Sequence, residues 1–358
     1  MNSSRIICAC RMQIPKILAP ASSSSPRFLQ PLRNLQRGSI YKTEEAKKVK
    51  YFVVHKYIEY LKNYDKYMAK SIPVKIYRVF SEGLKLFISD LKDYFSVIQI
   101  IHSRRKPLSS LNRKELELYH QMPKDMRKLA PVLVIAALPI IPYVFFPLAY
   151  MFPKHFLTSH FWSLQERSKY SEDFLRKRLL HNKPVFRHLQ SQINFMKVNC
   201  HPLFIPWTNI LGMLGSGSHP SPEMILECKD LFQDEPYHLY YLSRNHIKHL
   251  VGIHDIHRGW FRRTRLADRA TILIEMDKAI MREGGVHNLP IDALRNACLI
   301  RGLNPMNMKS EDMIKWLNSW IQISSEVDRE SLSLLLHVPI LLGYNQPTNW
   351  LLIYPPKQ

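Results

Sequence analysis

Residues 129–153 read LAPVLVIAALPIIPYVFFPLAYMFP and carry no charged side chain, although Lys128 and Lys154 bound them. As one helix, these 25 residues would rise about 37 Å, enough to cross a hydrocarbon core of about 30 Å with some tilt. The apolar block, as we call residues 129–153, therefore predicts a single transmembrane helix. The alternative is a buried core helix of a soluble protein.

Three prolines interrupt the apolar block at Pro139, Pro142 and Pro147. Each costs about 3 kcal/mol in the interior of a soluble helix, so together they offset the insertion free energy of the apolar side chains. Membrane helices tolerate proline where neighbouring groups satisfy the freed carbonyls. We therefore expect a kinked span that leans on a partner helix or on a second copy of the chain in a homo-oligomer.

Composition favours an all-α protein with an anionic environment or partner. The 358 residues include 51 Lys and Arg against 29 Asp and Glu, which gives a net charge of +22. A hydrophobic content of 46% excludes a disordered basic tail. Only 11 glycines occur, which disfavours a fold of many strands and tight turns.

Residues 1–40 have the composition of a mitochondrial transit peptide. They contain seven serines and no acidic residue, and such Arg-rich, Ser-rich, acid-poor segments are typical of mitochondrial import. The alternative is a disordered basic N-terminus without a targeting role. The basic residues are Arg5, Arg11, Lys16, Arg27, Arg33 and Arg37.

Residues 41–128 read as a basic amphipathic helical region. A helix is predicted after Thr43, and Pro73 suits the first turn of another that continues to Arg104. These apolar faces could lie on anionic lipid or pack on each other as a helical hairpin. Asn112 with Glu115 forms a capping-box pattern, and we expect Pro123 to end the helix that it starts.

Helical signals continue after the apolar block, over residues 154–358. Ser163 with Glu166 forms another capping-box pattern, and Ser221-Pro222 resembles an N-cap followed by a first-turn proline. Further helices are predicted to end near Gly284 and Gly302 and to begin at Ser310. The run GSGS at residues 215–218 is the predicted hinge of this region.

Metal and catalytic signals are weak. His246, His249, His254 and His257 have a spacing that could place pairs on one helix face, so a zinc site and simple clustering of histidines are the two explanations of the pattern. The sequence contains none of the P-loop, dinucleotide, metalloprotease or serine-hydrolase fingerprints. We therefore expect no metal, no cofactor and no enzymatic activity.

An arginine-rich stretch with two aromatic residues, Trp260 and Phe261, is the densest basic pattern after the apolar block. Arginine and aromatic side chains together suit RNA phosphates and stacked bases. The alternative is a solvated face of a core helix. The arginines are Arg258, Arg262, Arg263, Arg265 and Arg269.

Several ordered motifs resemble the leucine-zipper/EF-hand transmembrane (LETM) family. The runs PKDMRKLAP at residues 123–131 and LAYMFPK at 148–154 are similar to its membrane segment. The run LRNACLIRGL at 294–303, with Trp316 and Trp320, is similar to its ribosome-binding domain. The closest similarity is to the short members of the family. Arg301, inside the last motif, joins the predicted ribosome-binding set.

The resemblance implies a protein of the inner mitochondrial membrane whose helical, 14-3-3-like domain, residues 154–358, faces the matrix. A count of five basic residues before the apolar block against three after it, within 20 residues of each end, instead favours the N-terminal side in the matrix. The implied partners are mitochondrial ribosomes, nascent membrane proteins and inner-membrane lipids. The predicted function is tethering that supports respiratory-complex assembly and mitochondrial structure.

The alternative function is a part in mitochondrial cation/proton exchange that controls ion homeostasis and matrix volume. Two departures from the longer relatives bear on what can be transferred from them, the first on calcium sensing and the second on this exchange. The sequence contains no D-x-[DN]-x-[DN]-G calcium loop. The apolar block also contains no ionisable side chain that could relay a proton.

Overall fold

The computed structural model describes residues 72–102, 106–136, 148–257 and 259–354. Contacts divide the chain into two units at Val74, and nearly all of the described residues belong to the unit from Lys75 onward. The described residues form helices and connecting turns, with no strand among them, so the all-α prediction is confirmed there. The α-helices are α1 (Ile72–His102), α2 (Arg113–Ala136), α3 (Pro153–Phe156), α4 (Leu164–Leu179), α5 (Asn182–Ser191), α6 (Ile193–Val198), α7 (Phe204–Ser216), α8 (Pro222–Glu227), α9 (Arg244–Ile253), α10 (Arg262–Arg282), α11 (Ile291–Arg301), α12 (Ser310–Glu326), α13 (Leu332–Leu341) and α14 (Pro347–Ile353).

Local sequence signals set most helix ends after the apolar block. The Ser163 side chain accepts from the Glu166 backbone N–H while the Glu166 carboxylate accepts from the Ser163 N–H, a complete capping box. Ser221 caps α8 through the Met224 N–H. Gly284 and Gly302 adopt positive φ after α10 and α11, where a residue with a Cβ would be strained. These predicted boundaries are confirmed.

One hydrophobic core extends from Val97 on α1 and Leu116 on α2 to α13. It includes Trp207 on α7 and Trp320 on α12, both fully buried, together with Leu334 on α13. The predicted hinge at residues 215–218 lies at the C-terminal end of α7, and the Asn345 side chain donates to Leu214 O and Ser218 O there. Because the same core lies on both sides of this segment, the hinge prediction is wrong.

Helices α1 and α2 pack together through a second apolar cluster. Phe87 and Tyr94 of α1 meet Met122 and Leu129 of α2, and Phe161 closes the cluster from the turn before α4. The apolar face of α1 is therefore covered by α2 and by Phe161, and the predicted hairpin of α1 with the helix after Thr43 stays a prediction. The helix predicted after Thr43 and the transit peptide of residues 1–40 lie outside the described residues.

We predicted that Pro123 would end helix α2, and this prediction is wrong. The helix continues through Pro123 and Pro131 to Ala136. A proline removes one backbone hydrogen bond and costs about 3 kcal/mol, so contacts outside the helix must offset that loss. Three contacts with distant residues hold α2: Lys124 Nζ lies 2.8 Å from Asp255 Oδ2, the Arg113 N–H donates to Glu283 Oε1 at 2.7 Å, and the Asn296 amide donates to Glu117 Oε2 at 2.9 Å.

The two ends of the apolar block lie together. Lys128 Nζ donates to Lys154 O at 2.8 Å, and the same ammonium lies 4.9 Å from the centre of the Trp162 ring. A continuous helix over 129–153 would separate these ends by about 37 Å. The prediction that one continuous helix covers residues 129–153 is therefore wrong, because the two described flanks of the block are in contact.

Among the helices in the described ranges, none is both long enough and apolar enough to cross a membrane. Residues 137–147, with the predicted kink positions Pro139, Pro142 and Pro147, lie outside those ranges. Near this gap, Leu129 and Ala149 are buried in the protein, whereas Val134 and Met151 are 69% and 70% exposed.

Candidate nucleic-acid interface

The predicted arginine-rich stretch begins with a turn that displays two aromatic side chains. Trp260 and Phe261 are 87% and 78% exposed, which is unusual for such large apolar groups. Phe261, the N-cap of α10, adopts the left-handed conformation (φ 55°) and makes no side-chain cap. Left-handed backbone at a non-glycine residue is strained, and such strain is found at functional sites more often than elsewhere.

Arginine side chains hold this turn in place from the first turns of α10. Arg265 Nη1 donates to His257 O at 2.7 Å, and Arg262 Nε donates to Gly259 O at 3.3 Å. Arg262 is exposed and Arg265 is half-buried. The charges therefore lie beside the aromatic rings, and part of their hydrogen-bonding capacity supports the loop. Arg258 lies outside the described residues.

Arg263 connects this turn to a second aromatic segment that sequence reasoning missed. Its Nε and Nη2 donate to Leu239 O and Leu242 O at 3.1 and 2.9 Å, and its guanidinium lies 6.0 Å from the centre of the Tyr240 ring. Tyr240 and Tyr241 are both exposed and pack edge to face. No sequence pattern indicates this contact, because it joins residues more than 20 positions apart. The aromatic–arginine patch consists of Tyr240, Tyr241, Trp260, Phe261, Arg262 and Arg263.

Two of the predicted ribosome-binding arginines are buried. Arg269 is 4% exposed and Arg301 is 2% exposed. Arg301 pairs with buried Asp277 through Nη2 and Nε, and its Nη1 donates to Ala297 O. Asp277 also accepts hydrogen bonds from the Trp320 indole and the Ser324 hydroxyl. Neither guanidinium is accessible to a macromolecule in this structure, so the prediction that Arg269 and Arg301 bind the ribosome at the surface is corrected. Arg262, Arg263 and Arg265 stay in the predicted set.

The four regularly spaced histidines each have a different partner. His246 Nε2 lies 2.9 Å from His337 Nε2, His249 Nδ1 lies 3.0 Å from His181 Nδ1, and His254 Nε2 donates to Leu336 O at 2.9 Å. His257, the fourth, accepts from the Gly259 N–H. In the described part of the chain no group of three or more metal-binding side chains comes together.

Burial keeps several of these imidazoles neutral. Desolvation, together with nearby histidines, lowers the pKa of His246 to about 2. Desolvation also lowers the pKa of His337 to about 4, and lowers that of His254 to about 3 with the help of nearby Arg269 and Arg178. These histidines act as neutral hydrogen-bonding groups of the core.

The described residues thus define an all-helical domain with an exposed basic and aromatic surface. Residues 111–341 match the family described as LETM1-like, RBD. Because this match covers more than half of the chain, the protein belongs to the LETM1-like family. The match begins at Leu111 and ends at Leu341, so it includes α2, the apolar block and the helices from α3 to α13.

Curated relatives agree over most of the chain. The protein is similar to LETM1 domain-containing protein 1 of Xenopus tropicalis, with 26% identity over 287 residues, 79% of this chain and 81% of the relative. It is also similar to the human protein of that name, with 25% identity over 289 residues and 79% of each chain. The Bos taurus protein is 25% identical over 274 residues, 75% of each chain.

Proposed function

We propose that this protein is held at the inner mitochondrial membrane and presents its helical domain to mitochondrial ribosomes in the matrix. By keeping ribosomes or nascent membrane proteins near the membrane, it supports respiratory-complex assembly and mitochondrial structure. The observation that carries the proposal is the exposed aromatic–arginine patch on a domain that belongs to the LETM1-like family.

The chemistry of the patch suits ribosomal RNA. Exposed aromatic rings stack on bases, at about 1–3 kcal/mol per base, and arginines bind phosphates. Trp260 and Phe261 are held on a strained turn in contact with water, so a partner that covers them gains apolar burial without first ordering the loop. Arg262 and Arg263 place positive charge beside the rings.

Co-sedimentation of the full chain with mitochondrial ribosomes tests the patch. We expect the double variant Trp260→Ala/Phe261→Ala to bind at least about 10-fold more weakly, because two stacking platforms are lost. Trp350→Ala is the matched control, since Trp350 is a partly exposed tryptophan on α14. Equal binding by the double variant and the wild type would exclude the patch as the contact.

Membrane attachment is proposed to occur through the apolar block. Apolar side chains are exposed on both sides of residues 137–147, including Val134 and Met151, and a lipid surface would remove them from water. The contact between Lys128 and Lys154 supports an arrangement in which both flanks of the block lie on the same side of the membrane. On this view the charge count and the family resemblance no longer conflict, because each assigns a different flank to the matrix.

Cysteine labelling in mitochondria stripped of their outer membrane tests this arrangement. Lys92 on α1 and Lys177 on α4 are both exposed, one on each side of the apolar block. In a Cys200→Ser background, we expect Lys92→Cys and Lys177→Cys to react with a membrane-impermeant maleimide only after the inner membrane is opened. Labelling of Lys92→Cys alone in sealed membranes would instead indicate a single crossing.

Alkaline carbonate extraction tests attachment itself. The protein should remain with the membrane pellet, and its release would contradict the anchoring role of the apolar block. Cation/proton exchange stays a prediction, and potassium-dependent proton flux in reconstituted vesicles would support it over tethering.

A further inference from the structure

The guanidinium of Arg269 is buried with unmet hydrogen-bonding capacity. Only its Nη2 has an acceptor among the described residues, Ile300 O at the long distance of 3.4 Å. Its Nε and Nη1 have no partner in the same part of the chain, although both atoms are inaccessible to solvent. An arginine side chain keeps its proton in proteins, so deprotonation does not remove this cost.

The neighbours of Arg269 are also cationic. Arg178 on α4 donates to Ile253 O at 2.6 Å, Leu299 O at 2.7 Å and Ile300 O at 3.0 Å, and thus binds the C-terminal ends of α9 and α11. Lys124 on α2 pairs with Asp255 just after α9. His120 is kept neutral, because burial and the positive charges of Arg269, Lys124 and Arg178 hold its pKa well below the usual value.

The described residues supply too few negative charges to balance the cations of this cluster. Arg269, Arg178 and Lys124 contribute three positive charges, and the carboxylate that acts on all three is that of Asp255. The C-terminal ends of α9 and α11 add about half a negative charge each. The Arg301–Asp277 pair is neutral by itself. About one positive charge therefore remains without a partner, and it is buried where such a charge is costly.

We propose that Lys124, Arg178 and Arg269 form a binding site for one small oxyanion of the phosphate or carboxylate class, which accepts the unmet hydrogen bonds of Arg269. A water molecule could accept such bonds but supplies no charge. Oxyanions match guanidinium groups in both charge and geometry. Asp255, whose side chain is 63% exposed, marks the solvent edge of the site and competes with the ligand for the cations.

Burial selects a freely diffusing solute as the ligand. Arg269 is 4% exposed, so a nucleic-acid backbone or a peptide could not reach its guanidinium without opening the domain. The site is also separate from the aromatic–arginine patch, whose Arg262 and Arg263 are exposed at the start of the same helix.

Equilibrium dialysis of the purified full chain in detergent micelles against labelled inorganic phosphate tests the proposal, at constant ionic strength with chloride as the background anion. We expect about one phosphate per chain and a melting temperature that rises and saturates with phosphate, by about 5 °C at 100 times the half-saturating concentration. Acetate should compete with phosphate. Displacement by chloride alone, at concentrations matching those of phosphate, would overturn the assignment to oxyanions.

Variants with opposite expected signs make the test specific. Arg269→Met should abolish phosphate binding and its effect on melting, whereas Arg187→Met, a change of the same type at an exposed position of α5, should leave both unchanged. Asp255→Asn should bind phosphate several-fold more tightly, since it removes the competing carboxylate. Asparagine also tolerates the positive φ of Asp255 (50°), so the backbone is retained.

Lys124→Gln at the solvent edge keeps the proposal testable if Arg269→Met does not fold. It should weaken phosphate binding several-fold, since one of the three cations is lost. Phosphate binding by Arg269→Met at the wild-type level, weaker binding by Asp255→Asn, or the absence of saturable phosphate binding by the wild type would each overturn the proposal.

Discussion

The two ends of the arginine-rich stretch have opposite environments. Arg262 is exposed, whereas Arg269 is buried. Seven residues are almost two helical turns, so both side chains lie on nearly the same face of α10. The difference therefore arises from position along the helix axis, because the groups around Arg178 and Ile300 cover Arg269 but not the first turn. One arginine-rich stretch thus contains an exposed basic surface and a buried cationic cluster.

The largest expected effect on stability is the loss of the buried Arg301–Asp277 ion pair. Asp277→Asn leaves Arg301 as an uncompensated buried charge and should lower the free energy of unfolding by about 3–5 kcal/mol. Chemical denaturation of the full chain in micelles measures it. Asp292→Asn is the control, because Asp292 is exposed and lies 3.7 Å from Arg295, and it should change stability by less than about 0.5 kcal/mol. A similar small change for Asp277→Asn would contradict the buried pair.

A second effect concerns His254, which is buried, whereas His257, three residues later, is exposed. The pKa of His254 falls to about 3 in the folded protein, below the unfolded value of about 6.5. The unfolded chain therefore binds more protons below pH 6.5, so stability is complete above that pH and is lost as pH falls toward 3, by about 1 kcal/mol per pH unit.

Denaturation at pH 7.5 and pH 5.5 checks this sign. We expect His254→Gln to reduce the loss of stability between the two pH values, because it removes the buried imidazole. A wild-type protein that is equally stable at both pH values would contradict the buried neutral state of His254.

The exposed side of the comparison should affect binding rather than stability. Arg262→Gln should reduce the slope of log affinity for ribosomes against log salt concentration by about 1, as expected for one lost phosphate contact. Its unfolding midpoint should stay close to that of the wild type. Lys315→Gln, at an exposed position of α12, is the control for non-specific charge effects, and an equal loss of binding there would point away from a local contact.

The smallest effect should be a gain in stability at Phe261. Its left-handed backbone is strained for phenylalanine but not for glycine, so Phe261→Gly should stabilise the protein by up to about 1 kcal/mol. The same variant should bind ribosomes more weakly, since one aromatic ring is lost. Thermal melting and co-sedimentation measure the two effects, and a destabilised variant would show that Phe261 has a packing role.

Local sequence signals predicted much of the fold. The boundaries at Ser163, Gly284 and Gly302 depend on capping and on left-handed backbone, which a few neighbouring residues determine. The prediction that a proline ends a helix failed at Pro123. Contacts from α2 to residues more than 100 positions away outweigh the local penalty of about 3 kcal/mol. The sequence also placed Arg262 and Arg263 in the candidate site, but Tyr240 and Tyr241 reach it only through long-range packing.

By itself, the sequence determined the helical class, the basic character, the apolar block and most helix ends, since periodicity, charge and capping are properties of neighbouring residues. Only the tertiary structure decided which arginines are buried, because burial depends on which distant helices cover a side chain. It also decided that Lys128 and Lys154 meet, because the path of the chain between two points depends on the contacts that fix its ends.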